Sequence, residues 1–413
     1  ASIYQLEPIG VVIPRSWQDV VCALQIAKEA GVPVLPRGAG TSQCGQTVAE
    51  ALVIDNTPYL SQLIEIDREN KTAIVEPGMV LDHLNRAIAK EGLMFPVDVS
   101  TGSRATIGGM TGNNSCGARS IRYGTMRDNV SALEAIFIDG SRHQFGLSSR
   151  DNEPNRFNRQ LFDIGDKYAE EVAHRFPDVQ RRVGGYNIDA LARLPNGTNN
   201  LAHLLVGSEG TLAYSERIQL HLSNLPSHKV LGVCHFPTFY AAMDSAQHIV
   251  KLGPSAVELV DRTMIELARD IPIFRDVIGQ IVVGQPDALL LVEFSGDDFD
   301  AQLQGLKQLQ ELMSDLGFSG GVTEALNPGF QKEIWEVRKS GLNIMMSMRG
   351  DGKPVSFIED CAVRLEDLAE YTRRLTEIFS KYETSGTWYA HASVGCLHVR
   401  PILNVKQDID VIK

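Results

Sequence analysis

The chain has 413 residues, a net charge of −12, and hydrophobic and charged fractions of 43% and 22%. This is the composition of a soluble globular protein with room for roughly two or three domains. An acidic balance with no basic block excludes a nucleic-acid binder, and no apolar run approaches the roughly 18 residues of a membrane helix. An anionic substrate therefore needs a locally basic pocket. The chain begins at Ala1 without a secretion signal, as a trimmed or partial chain would. Its cysteines (Cys22, Cys44, Cys116, Cys234, Cys361, Cys396) form no CxxC. Free thiols in a reducing, cytoplasmic compartment are expected, and no cysteine pattern within the chain supports an iron–sulfur cluster.

In chain order, Ser16-Trp-Gln-Asp19 caps a helix running to about Gly31, and strands follow at 32–35, 51–55, 62–66 and 72–76. Between the first two strands lies Pro36-Arg-Gly-Ala-Gly-Thr-Ser-Gln-Cys-Gly-Gln-Thr47. Gly38, Gly40 and Gly45 let the backbone approach a ligand closely, and successive N–H groups in such a turn cradle an anion. An ATPase P-loop is excluded because no lysine follows Gly45, and a Rossmann fingerprint because Gln43 stands where its third glycine belongs. A strand–loop–strand cradle for a diphosphate remains. A helix covers about 79–91, then a second loop rich in Gly, Ser, Thr and Asn spans 96–117. A strand at 132–138 turns at Asp139-Gly140-Ser141. Residues 150–200 form a polar excursion with a helix at 159–175 and Val183-Gly-Gly-Tyr-Asn187; a third loop, Gly207-Ser-Glu-Gly-Thr-Leu212, opens a strand. The composition shifts at Ser223-Asn-Leu-Pro226, which divides the chain into domains 1–222 and 223–413. Beyond it strands near 229–236, 256–260, 288–294, 320–324, 355–359 and 386–392 alternate with helices near 238–251, 262–270, 298–316, 329–346 and 364–382. The fold class is α+β, not doubly wound.

Two stretches in the second half carry chemistry. Arg338, in Trp335-Glu-Val-Arg-Lys339, offers a planar two-pronged grip on a carboxylate. His391-Ala-Ser-Val-Gly-Cys-Leu-His398 holds two imidazoles around small residues that allow a tight turn, and imidazoles suit Zn, Mn or Fe. His221, His228 and His235 share the same spacing but sit in ordinary strand surroundings and read as structural. Nothing resembles a Ser/His/Asp triad.

PRGAGTS at Pro36–Ser42, TIGG at Thr106–Gly109 and GSEGTL at Gly207–Leu212 resemble the flavin-binding domain of the vanillyl-alcohol oxidase/p-cresol methylhydroxylase superfamily. The branch they resemble most is that of the D-lactate, glycolate and D-2-hydroxyglutarate dehydrogenases, in particular its large bacterial flavin and iron–sulfur members. The resemblance implies a two-part FAD-binding domain (PCMH-type) over 1–222, followed over 223–413 by a truncated α+β cap domain with an antiparallel sheet and helices on one face. FAD would lie on Arg37, Gly38, Ala39, Gly40, Thr41, Ser42 and Gly45 of the first loop. The second loop would add Ser100, Thr101, Ser103, Thr106, Gly109, Asn113, Ser115 and Cys116, and the third Glu209 and Gly210. Covalent relatives carry a histidine in the first loop where Thr41, Ser42 and Gln43 stand here, so non-covalent FAD is expected, with Cys116 the one residue that could argue otherwise.

On the substrate side the resemblance implies Arg338 as the carboxylate grip, Tyr186 beside the flavin ring, and His391 and His398 as ligands of a divalent metal. The family form His-Ala-Gly-Asp-Gly-Asn-Leu-His departs here at Ser393, Val394 and Cys396. Arg400 replaces a frequent Asn and adds a second cation for the carboxylate; Lys353 matches a family lysine poorly. The implied activity is oxidation of a D-2-hydroxy acid to the 2-oxo acid, with a quinone, cytochrome or iron–sulfur module as electron acceptor, no membrane span, and a place in the cytoplasm or peripherally at the inner membrane. The base and third metal ligand that relatives carry, and any cysteine-rich iron–sulfur region, would lie in a missing C-terminal region. The alternatives are a flavin oxidase of another alcohol or sugar, and a flavin electron-transfer module without its own substrate.

Overall fold

The computed structural model describes residues 4–412. The chain divides into two compact units: one runs to Pro177 and resumes over Val183–Leu225, and the other takes Asp178–Arg182 and everything from Pro226.

In the first unit the helix Trp17–Ala30 is closed at both ends by its own sequence. Ser16 and Asp19 form a capping box, Gly31 ends it in the left-handed region, and Val20, Ala23, Leu24 and Ala27 are its buried stripe. It belongs to a small core with Ile54, Leu60, Ile136 and Tyr214. A parallel three-stranded sheet runs in the order Gly10–Val12, Leu52–Asp55, Val34–Arg37. The last two of these flank the first glycine loop. A second, antiparallel sheet has the order Leu63–Asp67, Thr72–Val75, Tyr214–His221, Val130–Ile136, Arg142–Phe145. Two sheets in one unit are the expected two-part architecture. The three-residue strand Gly10–Val12 is too short and too exposed to register in a hydrophobic pattern.

In the second unit an antiparallel sheet runs Ala256–Asp261, Ala288–Gly296, His228–Phe236, Val322–Ala325. Helices cover both of its faces, not one. Alternate residues of the strand Ala288–Gly296 go to opposite cores: Leu290 and Val292 pack with Met243, Ala246, Leu306 and Leu309, whereas Leu289 and Leu291 pack with Ile265, Ile278, Ile334 and Val337. The second cover includes the helix Pro272–Ile281, which no expected element foreshadows. The expected helix 329–346 is two, Pro328–Lys339 and Gly341–Met346, broken at Ser340. Gly341 is packed so closely that a Cβ there would lie 3.0 Å from the Tyr389 ring and 3.1 Å from Met264. Finally the hairpin Gly386–His391 and Cys396–Leu403 pairs throughout its length, and Ile358–Ala362 adds to its outer edge. No helix among the described residues is long and apolar enough to cross a membrane.

Candidate flavin cradle and candidate active-site face

The candidate cradle of the first unit is made by three loops that the strand ends deliver to one place. Gly38 sits against the second loop: a Cβ on it would lie 2.1 Å from Thr106 Oγ1. Thr106 in turn caps the short helix Ile107–Gly112, accepting from the Gly109 N–H. Asn113 Nδ2 donates to Ser42 Oγ at 3.4 Å and Ser115 Oγ donates to Asn113 Oδ1 at 2.5 Å, a second tie between the loops. The third loop docks on both: Glu209 N–H donates to Gly112 O at 2.8 Å, and a Cβ on Gly210 would come within 3.1 Å of Pro36. Gly40 and Gly45 have φ of +65° and +93°, which only glycine adopts without cost. Arg37 folds its guanidinium back over Gly40. Among the described residues the backbone N–H groups from Gly38 to Gln43 donate to no protein acceptor, which is what an anion-binding turn requires. These groups fit the diphosphate of FAD.

Other expected contacts stand differently. Ser100, Thr101 and Ser103 are exposed on a turn held to the helix Leu81–Ile88 by the Asp82 N–H on Gly102 O. Ala39 and Thr41 lie on the first loop, Cys116 is buried, and Glu209 has its carboxyl raised above the usual range by burial. Tyr186 is half-exposed, its hydroxyl 2.7 Å from Thr211 Oγ1 beside the third loop.

The candidate active-site face of the second unit follows from the period of two in a strand. Trp388, Ala390, Leu397 and Val399 enter the core, so Thr387, Tyr389, His391, Cys396, His398 and Arg400 share the opposite face. Cross-strand register pairs Thr387 with Arg400, Tyr389 with His398 and His391 with Cys396. The turn Ala392–Val394 closes on Gly395 at φ +64°, where a Cβ would lie 2.1 Å from Val363 O. It brings the two imidazoles to a centroid separation of 5.3 Å, with Tyr389 5.1 Å from His398.

Each imidazole rests on a carboxylate that sequence reading missed. His391 Nδ1 lies 2.9 and 3.1 Å from the two oxygens of Glu258, a wholly buried residue on the central sheet. The same carboxylate takes Arg338 Nη2, which also donates to Ala390 O at 3.1 Å, and the Arg338 guanidinium lies 3.3 Å above the Tyr389 ring. His398 Nδ1 lies 3.2 Å from Asp360 Oδ1, and Arg181 Nη2 is 3.6 Å from that oxygen. Arg181, Arg338 and Arg400 are all at least nine-tenths buried. Glu258 hides within an apolar run, Ala256-Val-Glu-Leu-Val260, where an isolated acid was the only signal; Arg181 and Asp360 had none. Lys353 is turned away, its ammonium on Met348 O. His235 bridges Gly321 O and Ile281 O at 3.0 and 2.9 Å, a structural tie.

Burial first, and then the charges of Arg181, His398 and Arg338, hold the His391 imidazole neutral well below its usual range. Arg338 balances the Glu258 charge that would oppose this. With Nδ1 facing a carboxylate, the lone pair of His391 belongs to Nε2. Two imidazoles sharing one ion through Nε2 would stand roughly 5 Å apart, from metal–nitrogen bonds of about 2.1 Å. The spacing suits two ligands, but among the described residues no group of three or more His, Cys, Asp or Glu has metal-holding geometry.

The FAD binding domain family matches residues 8–146, and the family of FAD linked oxidases, C-terminal domain, matches residues 225–412. The two matched segments thus resemble, in chain order, the two domains of FAD-linked oxidases. The chain is 30% identical to D-2-hydroxyglutarate dehydrogenase of Pantoea ananatis over 98% of its own length and 42% of that protein. It is 28% identical to the glycolate oxidase subunit GlcD of Bacillus subtilis, covering 96% and 73% of the two chains. The D-lactate dehydrogenase of Archaeoglobus fulgidus is also 28% identical, with 96% and 76% covered. The chain thus spans about two fifths of the length of the D-2-hydroxyglutarate dehydrogenases it matches. Among solved structures, an alkyldihydroxyacetonephosphate synthase superposes with a TM-score of 0.66 at 17% identity over 95% of this chain and 70% of that one, which shows the fold.

Proposed function

We propose that this chain is the flavin- and substrate-binding part of a dehydrogenase that oxidises a D-2-hydroxy acid to the 2-oxo acid and passes the electrons to a separate acceptor. The observation that carries the reading is the face of the 386–403 hairpin. Buried cations (Arg338 and Arg400, with Arg181) stand beside two imidazoles in a protein that is acidic overall. A carboxylate on a small substrate is the guest such a face recognises. The names of the relatives point to the same substrate class.

FAD, when bound, supplies the acceptor for the hydride from C2. The protein's residues do the rest. Loop backbone donors and Thr106, Ser42 and Asn113 would hold the cofactor without a covalent link, and Tyr186 would stand at the ring. Arg400 would take the substrate carboxylate with Arg338, whose other bonds to Glu258 and Ala390 O fix it in place. Neutral His391 can accept a hydrogen bond from the 2-hydroxyl at Nε2. Burial and the neighbouring cations disfavour a charged His391, so a second base would take the hydroxyl proton as the hydride leaves C2. With a divalent metal bound, Nε2 of His391 and of His398 would instead furnish two of the three protein ligands that a catalytic zinc site takes. The electron acceptor would be a quinone, a cytochrome or an iron–sulfur module. The setting we propose is the cytoplasm, free or peripheral to the inner membrane.

Anaerobic mixing of the FAD-loaded protein with a substrate panel tests the reading. D-2-hydroxy acids should bleach the flavin while their L-enantiomers and sugars leave it oxidised. Bleaching by sugars alone would make the chain a sugar oxidase, and no bleaching at all an electron-transfer module.

A further inference from the structure

Asp360 is the odd residue of the active-site face. Its backbone has φ +54°, in the left-handed region that is uncommon outside Gly and that Asp and Asn enter more readily than other residues. It sits where the pairing of Ile358–Ala362 with Cys396–Leu403 slips, between Ile358 and Cys361. Such bulges re-aim a side chain. Here the side chain is aimed at the site: Oδ1 lies 3.2 Å from His398 Nδ1, 3.6 Å from Arg181 Nη2 and 3.9 Å from Cys396 Sγ. Nearly half of the Asp360 side chain is exposed, so it is not held there by packing. The strained backbone and the three polar contacts share one carboxylate oxygen.

We propose that Asp360 is a positioning residue that fixes His398 as the Nδ1–H tautomer and sets its ring orientation, with Arg181 holding the carboxylate from the other side, so that Nε2 is the atom His398 presents. Asp360 does for His398 what Glu258 does for His391. Carboxylates that orient a functional imidazole through its other ring nitrogen are typically worth about 10–100-fold in activity or ligand affinity. The effect on turnover rests on the hydroxy-acid reading above; the effect on the tautomer does not.

The substitutions that separate this role from a structural one are D360G and D360N. Both relieve the left-handed backbone, so if Asp360 were merely structural, D360G would be neutral or stabilising and would change nothing else. Positioning predicts that D360G keeps or raises the melting temperature and retains FAD, yet loses the Nδ1–H signature of His398 in long-range ¹H–¹⁵N spectra of ¹⁵N-histidine-labelled protein. Its hydroxy-acid-driven flavin reduction should slow about 10–100-fold. D360N, whose amide oxygen can still accept from Nδ1, should keep the tautomer and most of the rate. An unchanged His398 tautomer in D360G overturns the proposal whatever the activity. A lost tautomer with undiminished reduction overturns instead the placing of His398 at the reacting centre, and with it the active-site reading on which the turnover effect rests.

Discussion

Arg338 is held in a buried ion pair, and the proposed function asks it to grip the substrate as well. Its partner Glu258 is 1% exposed and also receives His391, so removing the guanidinium would strand a carboxylate in the core. Arg338→Met should therefore cost roughly 3–5 kcal/mol of stability, read from the denaturant midpoint of the second unit. Arg338→Lys keeps the charge and should fold, but it cannot hold Glu258, Ala390 O and a carboxylate at once. It should slow flavin reduction at unchanged flavin content. A second residue carries a pH signature. His203 is depressed to about 4 by burial and then by the Arg127 charge, and its Nε2 faces Asn200 Nδ2 at 3.1 Å, which requires a lone pair there. The folded value lies below the unfolded one of about 6.5, so this stability is fully present above pH 6.5 and is lost as pH falls towards 4. It amounts to about 2–3 kcal/mol. The melting temperature of His203→Gln should fall less between pH 7 and 4.5 than that of the parent; equal acid slopes would remove His203 from the account.

At the scale of elements, loops and turns decide the chemistry, and glycine decides the loops. Gly38→Ala would drive a methyl into Thr106 Oγ1 and part the first loop from the second, so the purified variant should carry little FAD while the second unit melts as before. Gly395→Ala meets Val363 O at a left-handed position; it should open the 391–398 turn and abolish hydroxy-acid reduction with FAD retained. The glycine spacing is also why much of this was legible beforehand. The loop motifs, the helix capped at Ser16 and the tight turn of small residues between His391 and His398 are local signals, and the structure brings those imidazoles onto one face. What was not legible is non-local. Glu258 reaches His391 across 133 residues, and Asp360 reaches His398 only because a bulge turns its strand. The helix Pro272–Ile281 on the second face of the cap sheet escaped for a related reason. A strand buried on both sides reads as a plain apolar run, with no alternation to say that a second layer must cover it.

Across the whole chain, a diphosphate cradle built from backbone donors occupies one unit and a cationic, imidazole-bearing face the other. The cofactor should be separable from the protein. Acid precipitation should leave a colourless pellet and release FAD to the supernatant, whereas a yellow pellet would reveal a covalent link, with Cys116 the first residue to examine. The division of labour also predicts that cradle and face respond independently: Gly38→Ala should lose flavin, and Arg400→Met should retain it. The most direct measurement is stopped-flow anaerobic flavin reduction by D-lactate and D-2-hydroxyglutarate, followed against substrate concentration in the FAD-loaded parent and in Arg400→Met. The account predicts saturable bleaching by at least one D-acid in the parent. In Arg400→Met it predicts weaker apparent binding by roughly 10-fold or more, as expected when a charge-assisted hydrogen bond of about 1.5–3 kcal/mol is lost, with flavin content unchanged. Identical saturation curves in the two proteins, or no bleaching of the parent by any D-2-hydroxy acid, would contradict it.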